Sequence, residues 1–264
     1  MNLWGQNTAL IGYTGFVGSN LTMQGNYSAL FNSSNIPDIS EKNFDTIVCA
    51  GVQAVKWKAN KEPETDWAGI EKLLQPLATV KAARFILLST IDVYASPNGV
   101  TEYVLPTMEN HAYGRHRLKV EEFVRDRFAN HHIIRLPGLF GPGLKKNVIF
   151  DLLHDNCLDA IQPLSSFQYY HLKHLSADLE KMVRENIRVL NLATEPVSTK
   201  AILDSFAPEK VVGSNAGAPA HYDFRSNYDA LWNCRDGYLY DAPTVLREIG
   251  EFMRVESERL TKIS

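Results

Sequence analysis

The stretch Leu10-Ile11-Gly12-Tyr13-Thr14-Gly15-Phe16-Val17-Gly18-Ser19-Asn20-Leu21 limits what this chain can fold into more than any other. An apolar run, Thr8 to Ile11, stops at Gly12, glycine recurs at positions 15 and 18, and apolar residues resume at Phe16. The pattern predicts a strand, a tight turn and a helix. Glycine at the first position permits a sharp exit from the strand, the second lets a pyrophosphate approach the backbone, and the third lets the helix pack closely on the sheet. The start of that helix offers unpaired N–H groups and the positive end of its dipole, which together suit an anion. With the strand before and the helix after both legible, the triplet reads as a nucleotide site rather than a bare turn.

The same alternation continues along the chain. The first helix runs to about Met23, and a short strand near Ser28 to Phe31 ends in Asn32-Ser33-Ser34-Asn35. An acidic residue at such a place would grip the adenine ribose and favour NAD. Asn32, Ser33, Ser34 and Asn35 suit free hydroxyls or a 2′-phosphate equally, which leaves NAD and NADP both open. Phe44 to Val52 is a continuous apolar run, expected of a parallel strand buried on both faces. Its small end residues, Ala50 and Gly51, leave room for a ligand. From Asp66 a helix is predicted, with Ile70, Leu73, Leu74, Leu77 and Val80 on one side and Pro76 marking a kink or an early end. Arg84 to Thr90 is the next strand, its polar pair Ser89-Thr90 at the edge where ligands bind in doubly wound sheets. Ser96 to Met108, with two prolines and a glycine, reads as a loop over that edge.

A helix from about His111 to Phe128 and a strand from His132 to Leu136 follow, with His131-His132 as a solvated turn and Pro137 to Gly143 as a rigid turn leading away. Strands alternating with helices at this rhythm predict an α/β fold, a doubly wound parallel sheet built from βαβ units. Beyond Gly143 the texture changes to short mixed elements: helices at Asn147 to Leu158, Ala177 to Glu185, Thr199 to Phe206 and Ala242 to Val255, and strands at Phe167 to His171 and Val189 to Leu192. The expectation is a nucleotide-binding domain over residues 1–143 and a small lobe over 144–264, interleaved with the sheet, with the ligand crevice between the two.

Bulk properties narrow the classes. At 264 residues a sizeable core is available, and 27 basic against 30 acidic residues, a formal charge of −3, point to neither nucleic acid nor an anionic membrane. Cys49, Cys157 and Cys234 are few, scattered and odd in number, as in a reducing compartment without disulfides or a zinc site. Met1-Asn2-Leu3-Trp4-Gly5 lacks the basic and apolar regions of a signal peptide, and no run reaches the length of a membrane span, so a cytoplasmic protein is expected. His171 and His174, close to Tyr169 and Tyr170, have no third ligand at diagnostic spacing, and no metal is expected.

One constellation carries chemistry. Tyr113 and Arg117 are four positions apart on a predicted helix, hence about 40° apart on one face. A cation held beside a phenol favours the phenolate and lowers its pKa toward neutrality. Thr90, at a neighbouring strand end, could hold a carbonyl oxygen while the phenol gives or takes the proton and hydride passes to or from a nicotinamide.

These segments together resemble the short-chain dehydrogenases/reductases of the extended or atypical kind, in the NAD-dependent epimerase/dehydratase family that acts on nucleotide sugars. Gly12 to Gly18 resembles G-x-x-G-x-x-G, Ser89-Thr90-Ile91-Asp92-Val93-Tyr94 resembles S-[ST]-x-x-V-Y, and Tyr113 to Leu118 resembles Y-G-x-S-K-L. Arg135 to Gly143 is similar to R-x-x-N-V-Y-G-P-G, and Leu190 to Ser198 to Y-N-x-G-x-x-x-P-V-S. The resemblance implies a Rossmann-type sheet with a C-terminal substrate lobe, Thr90 bonding the reacting oxygen and Tyr113 as general acid/base. It implies cofactor contacts at Gly12, Gly15, Phe16, Val17, Gly18, Ala50, Gly51, Pro137, Gly138 and Leu139. It also implies a substrate diphosphate near Lys146 and Asn147, whose alternative is a solvated helix start; Arg225 either faces a sugar nucleotide or lies in solvent.

Arg117 departs from the family's lysine. It keeps the charge but is planar, bulkier and never deprotonated, and Lys119, six positions on, lies about 240° round the helix from Tyr113. The expected activity is an NAD(P)-dependent reductase, epimerase or dehydratase acting on a sugar nucleotide or related carbonyl compound. The rival expectation is a non-catalytic NAD(P)-binding sensor or scaffold. The short chain implies a trimmed substrate lobe, and the helices around Ile70 to Val80 and Tyr113 to Phe128 suggest a homodimer unless their apolar faces are spent on the sheet.

Overall fold

The computed structural model describes residues 5–262. The expectation drawn from Met1 to Trp4 therefore lies outside the described residues. In chain order the first elements are β1 (Thr8–Ile11), α1 (Phe16–Gln24), β2 (Ala29–Phe31), β3 (Asn43–Cys49), α2 (Lys56–Lys61), α3 (Pro63–Leu77) and β4 (Lys81–Thr90). They are followed by α4 (Ala112–Arg127), β5 (His131–Leu136), β6 (Gly138–Phe140), α5 (Val148–His154), β7 (Ser166–Phe167) and β8 (Tyr169–His171). The chain closes with α6 (Leu175–Arg184), β9 (Val189–Asn191), β10 (Val197–Ser198), α7 (Thr199–Phe206) and α8 (Ala242–Thr261).

The chain divides into two compact units. The first comprises residues 1–97, 102–136 and 173–191, and the second residues 98–101, 137–172 and 192–264. The expected division near residue 143 thus moves to the end of β5, and α6 and β9 return to the first unit.

The first unit holds a six-stranded sheet in the order β2-β1-β3-β4-β5-β9. Every neighbouring pair is parallel. Parallel strands need crossover segments, and helices on both faces explain why β1, β3, β4 and β5 read as continuous apolar runs. Ile47, Cys49, Phe85, Leu87 and Ile133 pack with Ile70, Leu73 and Leu77 of α3 and Val120 and Val124 of α4. Successive strand residues point to opposite faces, so Leu10, Val48, Ile86 and Ile134, all buried, belong to the other side. There α6 packs on β5 and on α1. The apolar faces of α3 and α4 are therefore spent on the sheet.

Several local expectations are corrected. Pro76 lies in the last turn of α3 and the helix ends at Leu77, so Val80 is not on it but stands buried ahead of β4. His132 is not a solvated turn residue: it is buried within β5, and its Nδ1–H donates to Ile187 O at 2.7 Å. Pro137 to Gly143 contains a strand, β6, which pairs with β8 in the second unit. The helix expected from Asn147 to Leu158 ends at His154. Phe167 to His171 splits into β7, paired with β10, and β8, paired with β6.

The second unit has its own core, in which Phe140, Ile149, Leu152 and Tyr169 pack with Ile202 and Leu203 of α7 and Val245, Ile249 and Phe252 of α8. His171 lies edge-on to Phe140, with ring centroids 4.6 Å apart. Among the described residues no group of three His, Cys, Asp or Glu side chains is placed to hold a metal ion, and no helix is long and apolar enough to cross a membrane. The three cysteines are free; Cys49 is buried, and burial pushes its thiol up to about 11.

Candidate active site

Parallel pairing brings the ends of β1, β3 and β4 to one edge, since Ile11 is level with Cys49 and Cys49 with Leu87. The glycine turn, Ala50 and Gly51, and Thr90 all follow from that edge.

The turn is built on hydrogen bonds from Gly12 N to Phe31 O (2.7 Å) and from Gly15 N to Gly12 O (2.9 Å). Gly12 has φ +84°, and a Cβ there would stand 2.5 Å from Ala50 O. A Cβ at Gly18 would stand 2.1 Å from Gly12 O. Backbone atoms bar both positions to any other residue. Gly15 differs, because its nearest neighbour would be Gly12 O at 3.3 Å and nothing else lies within 4 Å. Its outer side is open, and as N-cap of α1 it supplies no side chain to the helix start, whose first turn holds no acidic residue. This is the position at which the spacing implies that a pyrophosphate approaches.

This separates two effects by substitution. Gly12→Ala or Gly18→Ala should destabilise the fold by roughly 2–5 kcal/mol, from strain and overpacking together. Gly15→Ala should melt like the parent yet weaken NADH binding about tenfold or more, since a methyl group would take the phosphate's room. Thermal melts and fluorescence titrations of the three variants check this; unchanged NADH affinity in Gly15→Ala would show that no phosphate approaches there.

At the end of β2 the asparagines serve the chain itself. Asn35 Oδ1 accepts from Asn32 N (2.7 Å) and its Nδ2 donates to Leu30 O (3.0 Å), while Asn32 Oδ1 accepts from Ser34 N (2.9 Å). The exposed hydroxyls of Ser33 and Ser34 are the groups presented outward.

Thr90 and Ser89 diverge, as consecutive strand residues must. Ser89 Oγ turns inward and donates to Glu121 Oε1 at 2.7 Å, whereas Thr90 Oγ1 accepts from Asp92 N at 3.2 Å. The head of α4 is fixed from three sides. His111 Nδ1 accepts from Gly114 N (3.0 Å), Asn60 Oδ1 of α2 accepts from Tyr113 N (2.9 Å), and Asn110 Nδ2 donates to Asp92 O and Val93 O (2.9 and 3.0 Å). Gly114 is required by that closeness, because a Cβ would fall 2.3 Å from Asp92 O.

Arg117 shares the Tyr113 face as predicted, with Cζ 4.0 Å from the ring centroid. It acts on the face of the ring, and its charge is engaged elsewhere. The guanidinium forks onto Asp66 of α3 and also donates to Gln53 O. His116 Nδ1 lies 2.8 Å from the same carboxylate. Burial would raise the Asp66 pKa, but bonds from Arg117 and His116 outweigh it and hold the carboxyl below its usual value. The expected lowering of the phenol is reversed: burial raises the Tyr113 pKa above its ordinary 10.0, and Arg117 offsets only part of that rise. Asp92 raises it further, while Thr90 and Lys56 lower it.

The remaining predicted residues lie in the second unit. Gly138 N bonds Gln168 O at 3.0 Å within the β6–β8 region. Asn147 is a structural cap: Oδ1 accepts from Ile149 N (3.0 Å) and Phe150 N (3.2 Å), and Nδ2 donates to Leu139 O (3.0 Å). Lys146 is exposed. Arg225 forks onto Asp223 with two 2.9 Å bonds and lies over the Tyr238 ring at 4.3 Å, so its guanidinium is held within its own unit rather than left in solvent. Asp66, Lys56 and Asn60, which no motif had marked, bond Arg117, Asp92 and Tyr113 N respectively.

Comparison with known proteins accords with this geometry. Residues 26–158, half of the chain, match the NAD dependent epimerase/dehydratase family. The chain belongs to that family. No curated protein matches it in sequence. Among solved structures, dTDP-4-dehydrorhamnose reductase from Bacillus anthracis in complex with NADP is similar at 17% identity and TM-score 0.69, over 94% of this chain and 98% of that one. UDP-glucose 4-epimerase from Thermotoga maritima with UDP-glucose is similar at 14% identity and TM-score 0.70, over 97% and 99%. A variant of UDP-glucuronic acid 4-epimerase from Bacillus cereus, bound to UDP-4-deoxy-4-fluoro-glucuronic acid and NAD, is similar at 15% identity and TM-score 0.69, over 94% and 98%. The fold is thus the Rossmann-type fold of those enzymes, and the matches take in nearly all of each, so the expected trimming of the second unit is not found relative to them.

Proposed function

We propose that this chain is an NAD(P)-dependent oxidoreductase that reduces a carbonyl group of a nucleotide sugar. The observation that carries the reading is that the open glycine turn, Ala50, Gly51 and Thr90 all follow from one edge of the sheet, with Tyr113 buried at the head of α4 beneath Arg117. Gly12, Gly15 and Gly18 with Phe16 and Val17 would hold the dinucleotide's pyrophosphate, Ser33 and Ser34 its adenine ribose, and Ala50 and Gly51 would leave room beside it. When bound, the nicotinamide supplies or accepts hydride. Thr90 holds the substrate oxygen, and Tyr113 delivers a proton to that oxygen as its carbon gains hydride. A phenol with a raised pKa is protonated at neutral pH, which suits it to giving rather than taking the proton. Family membership, and similarity to enzymes bound to NAD, NADP and UDP-sugars, support the cofactor and the substrate class.

The Arg117–Asp66 fork favours a second reading, a dinucleotide-binding protein without turnover. Parallel fluorescence titrations with NADH and NADPH, followed by assay of the tighter binder against dTDP- and UDP-linked keto sugars, separate the two. Saturable binding with turnover is the expected result. Binding without turnover selects the second reading, and no binding of either nucleotide to folded, nucleotide-free protein overturns both.

A further inference from the structure

The segment that carries Thr90 is fastened on both sides to one buried ion pair. Glu121 of α4 and Arg135 of β5 are joined by two hydrogen bonds, from Nε to Oε1 and from Nη2 to Oε2. Each partner also reaches the segment. Ser89, immediately before Thr90, donates from Oγ to Glu121 Oε1 at 2.7 Å, and Arg135 Nη1 donates to the Tyr94 hydroxyl at 2.6 Å. All four side chains are buried, and bonds to charged groups shielded from water are strong and directional. Between the two ties, Asn110 Nδ2 at the head of α4 holds Asp92 O and Val93 O, and Thr90 Oγ1 accepts from Asp92 N. Ser89 is the register partner of Arg135, and consecutive strand residues point to opposite faces, so holding Ser89 on α4 sets the pleat that aims Thr90.

We propose that the Glu121–Arg135 pair positions Thr90 for the reaction, by holding Ser89 and Tyr94 and so fixing Thr90 relative to α4, the helix that carries Tyr113. This rests on the reading of Thr90 and Tyr113 as the reacting pair. Glu121 and Arg135 are positioning residues, acting through Thr90. A buried ion pair adds little stability over apolar residues of the same size. Stability alone therefore does not account for a pair whose spare bonds both end on one six-residue segment.

The test cuts the ties at their far ends, because removing Glu121 itself strands Arg135. Full-length parent, Ser89→Ala and Tyr94→Phe are assayed with NADPH and dTDP-4-dehydrorhamnose, the sugar that names the similar reductase. Each variant should lose roughly tenfold to a hundredfold in kcat. KM and NADPH affinity should stay within about twofold, and melting should fall by only about 2–4 °C. In a Thr90→Ala background the same changes should cost almost nothing further, since they act through Thr90. Glu121→Leu with Arg135→Met should fold stably and still lose kcat. A parental kcat in both single variants, or equal losses with and without Thr90, overturns the proposal. A readout free of substrate separates this from failure of the enzymatic reading: three-bond NMR couplings should show one staggered χ1 rotamer at Thr90 in the parent and averaging in both variants. If the parent reduces no keto sugar, averaging keeps the positioning role and a single rotamer throughout overturns it.

Discussion

Tyr113→Phe should lower the rate of carbonyl reduction by about 10²–10⁴-fold, the usual worth of a positioned general acid, while the protein stays folded. The substitution removes only the hydroxyl and keeps the ring under Arg117. The effect belongs to turnover rather than to binding, because the glycine turn that would hold the pyrophosphate lies on β1 and α1 and not on α4. NADH affinity should therefore hold while kcat falls. The pH profile carries a second signature. Since burial raises the phenol above 10.0, the protonated form persists across neutral pH, and reduction by the parent should decline only in alkaline solution beyond the ordinary tyrosine range. Unchanged turnover in Tyr113→Phe, measured alongside a parental melting curve, would remove Tyr113 from the chemistry.

Glu121→Ala should be among the most destabilising single changes in the first unit, at roughly 3–5 kcal/mol, because it strands a buried cation. Glu121 is fully buried on α4 and accepts two bonds from Arg135 of β5, 3.0 and 2.7 Å long, as well as bonds from Ser89 and Arg125. Arg135 is 2% exposed, and its third bond goes to Tyr94 at 2.6 Å. Burial alone would lower the Arg135 pKa; the carboxylate outweighs it and raises that pKa above its ordinary value. Without Glu121 the guanidinium must either stay charged in the core or draw in water. Replacing both partners by apolar residues of similar size, Glu121→Leu with Arg135→Met, leaves no orphaned charge and should recover most of the loss. Denaturant unfolding of the single and double variants decides this; an additive double variant, less stable than either single one, would show that the pair is not the cause.

The two expectations of greatest consequence for Tyr113 fared differently, and the reason is distance along the chain. That Arg117 shares its face follows from helical spacing alone. That Arg117 is taken by Asp66, 51 positions earlier, does not. The same holds for Lys56 and Asp92, 36 positions apart, which meet where α2 and the turn after β4 both pack on α4. A lysine next to a tryptophan on a short helix carries no local mark of such a partner.

The fold divides along the same line. Thr8 to Ile11, Phe44 to Val52 and Arg84 to Thr90 were legible as strands, the second as a buried parallel one, because being covered on both faces leaves a continuous apolar run; β3 itself ends at Cys49. The glycine turn was legible from its spacing; Gly18 meets the backbone of its own turn, whereas Gly12 meets Ala50 and Gly51 beyond β3, a contact that the spacing does not contain. By contrast, β6 exists because β8, some 30 residues on, supplies its hydrogen-bond partner, and a short Gly-Leu-Phe run cannot foretell that. Val189 to Asn191 was legible as a strand but not as the sixth strand of the main sheet, since pairing with β5 is a long-range choice.

Alone, then, the sequence determined whatever depends on neighbours within a turn or two: strand, glycine turn and helix, the two-faced burial of the sheet, and the shared face of Tyr113 and Arg117. The tertiary structure decided which charge meets which. An ion pair is specified by where two backbones pack, and its energy depends on burial and geometry that no short window of residues contains.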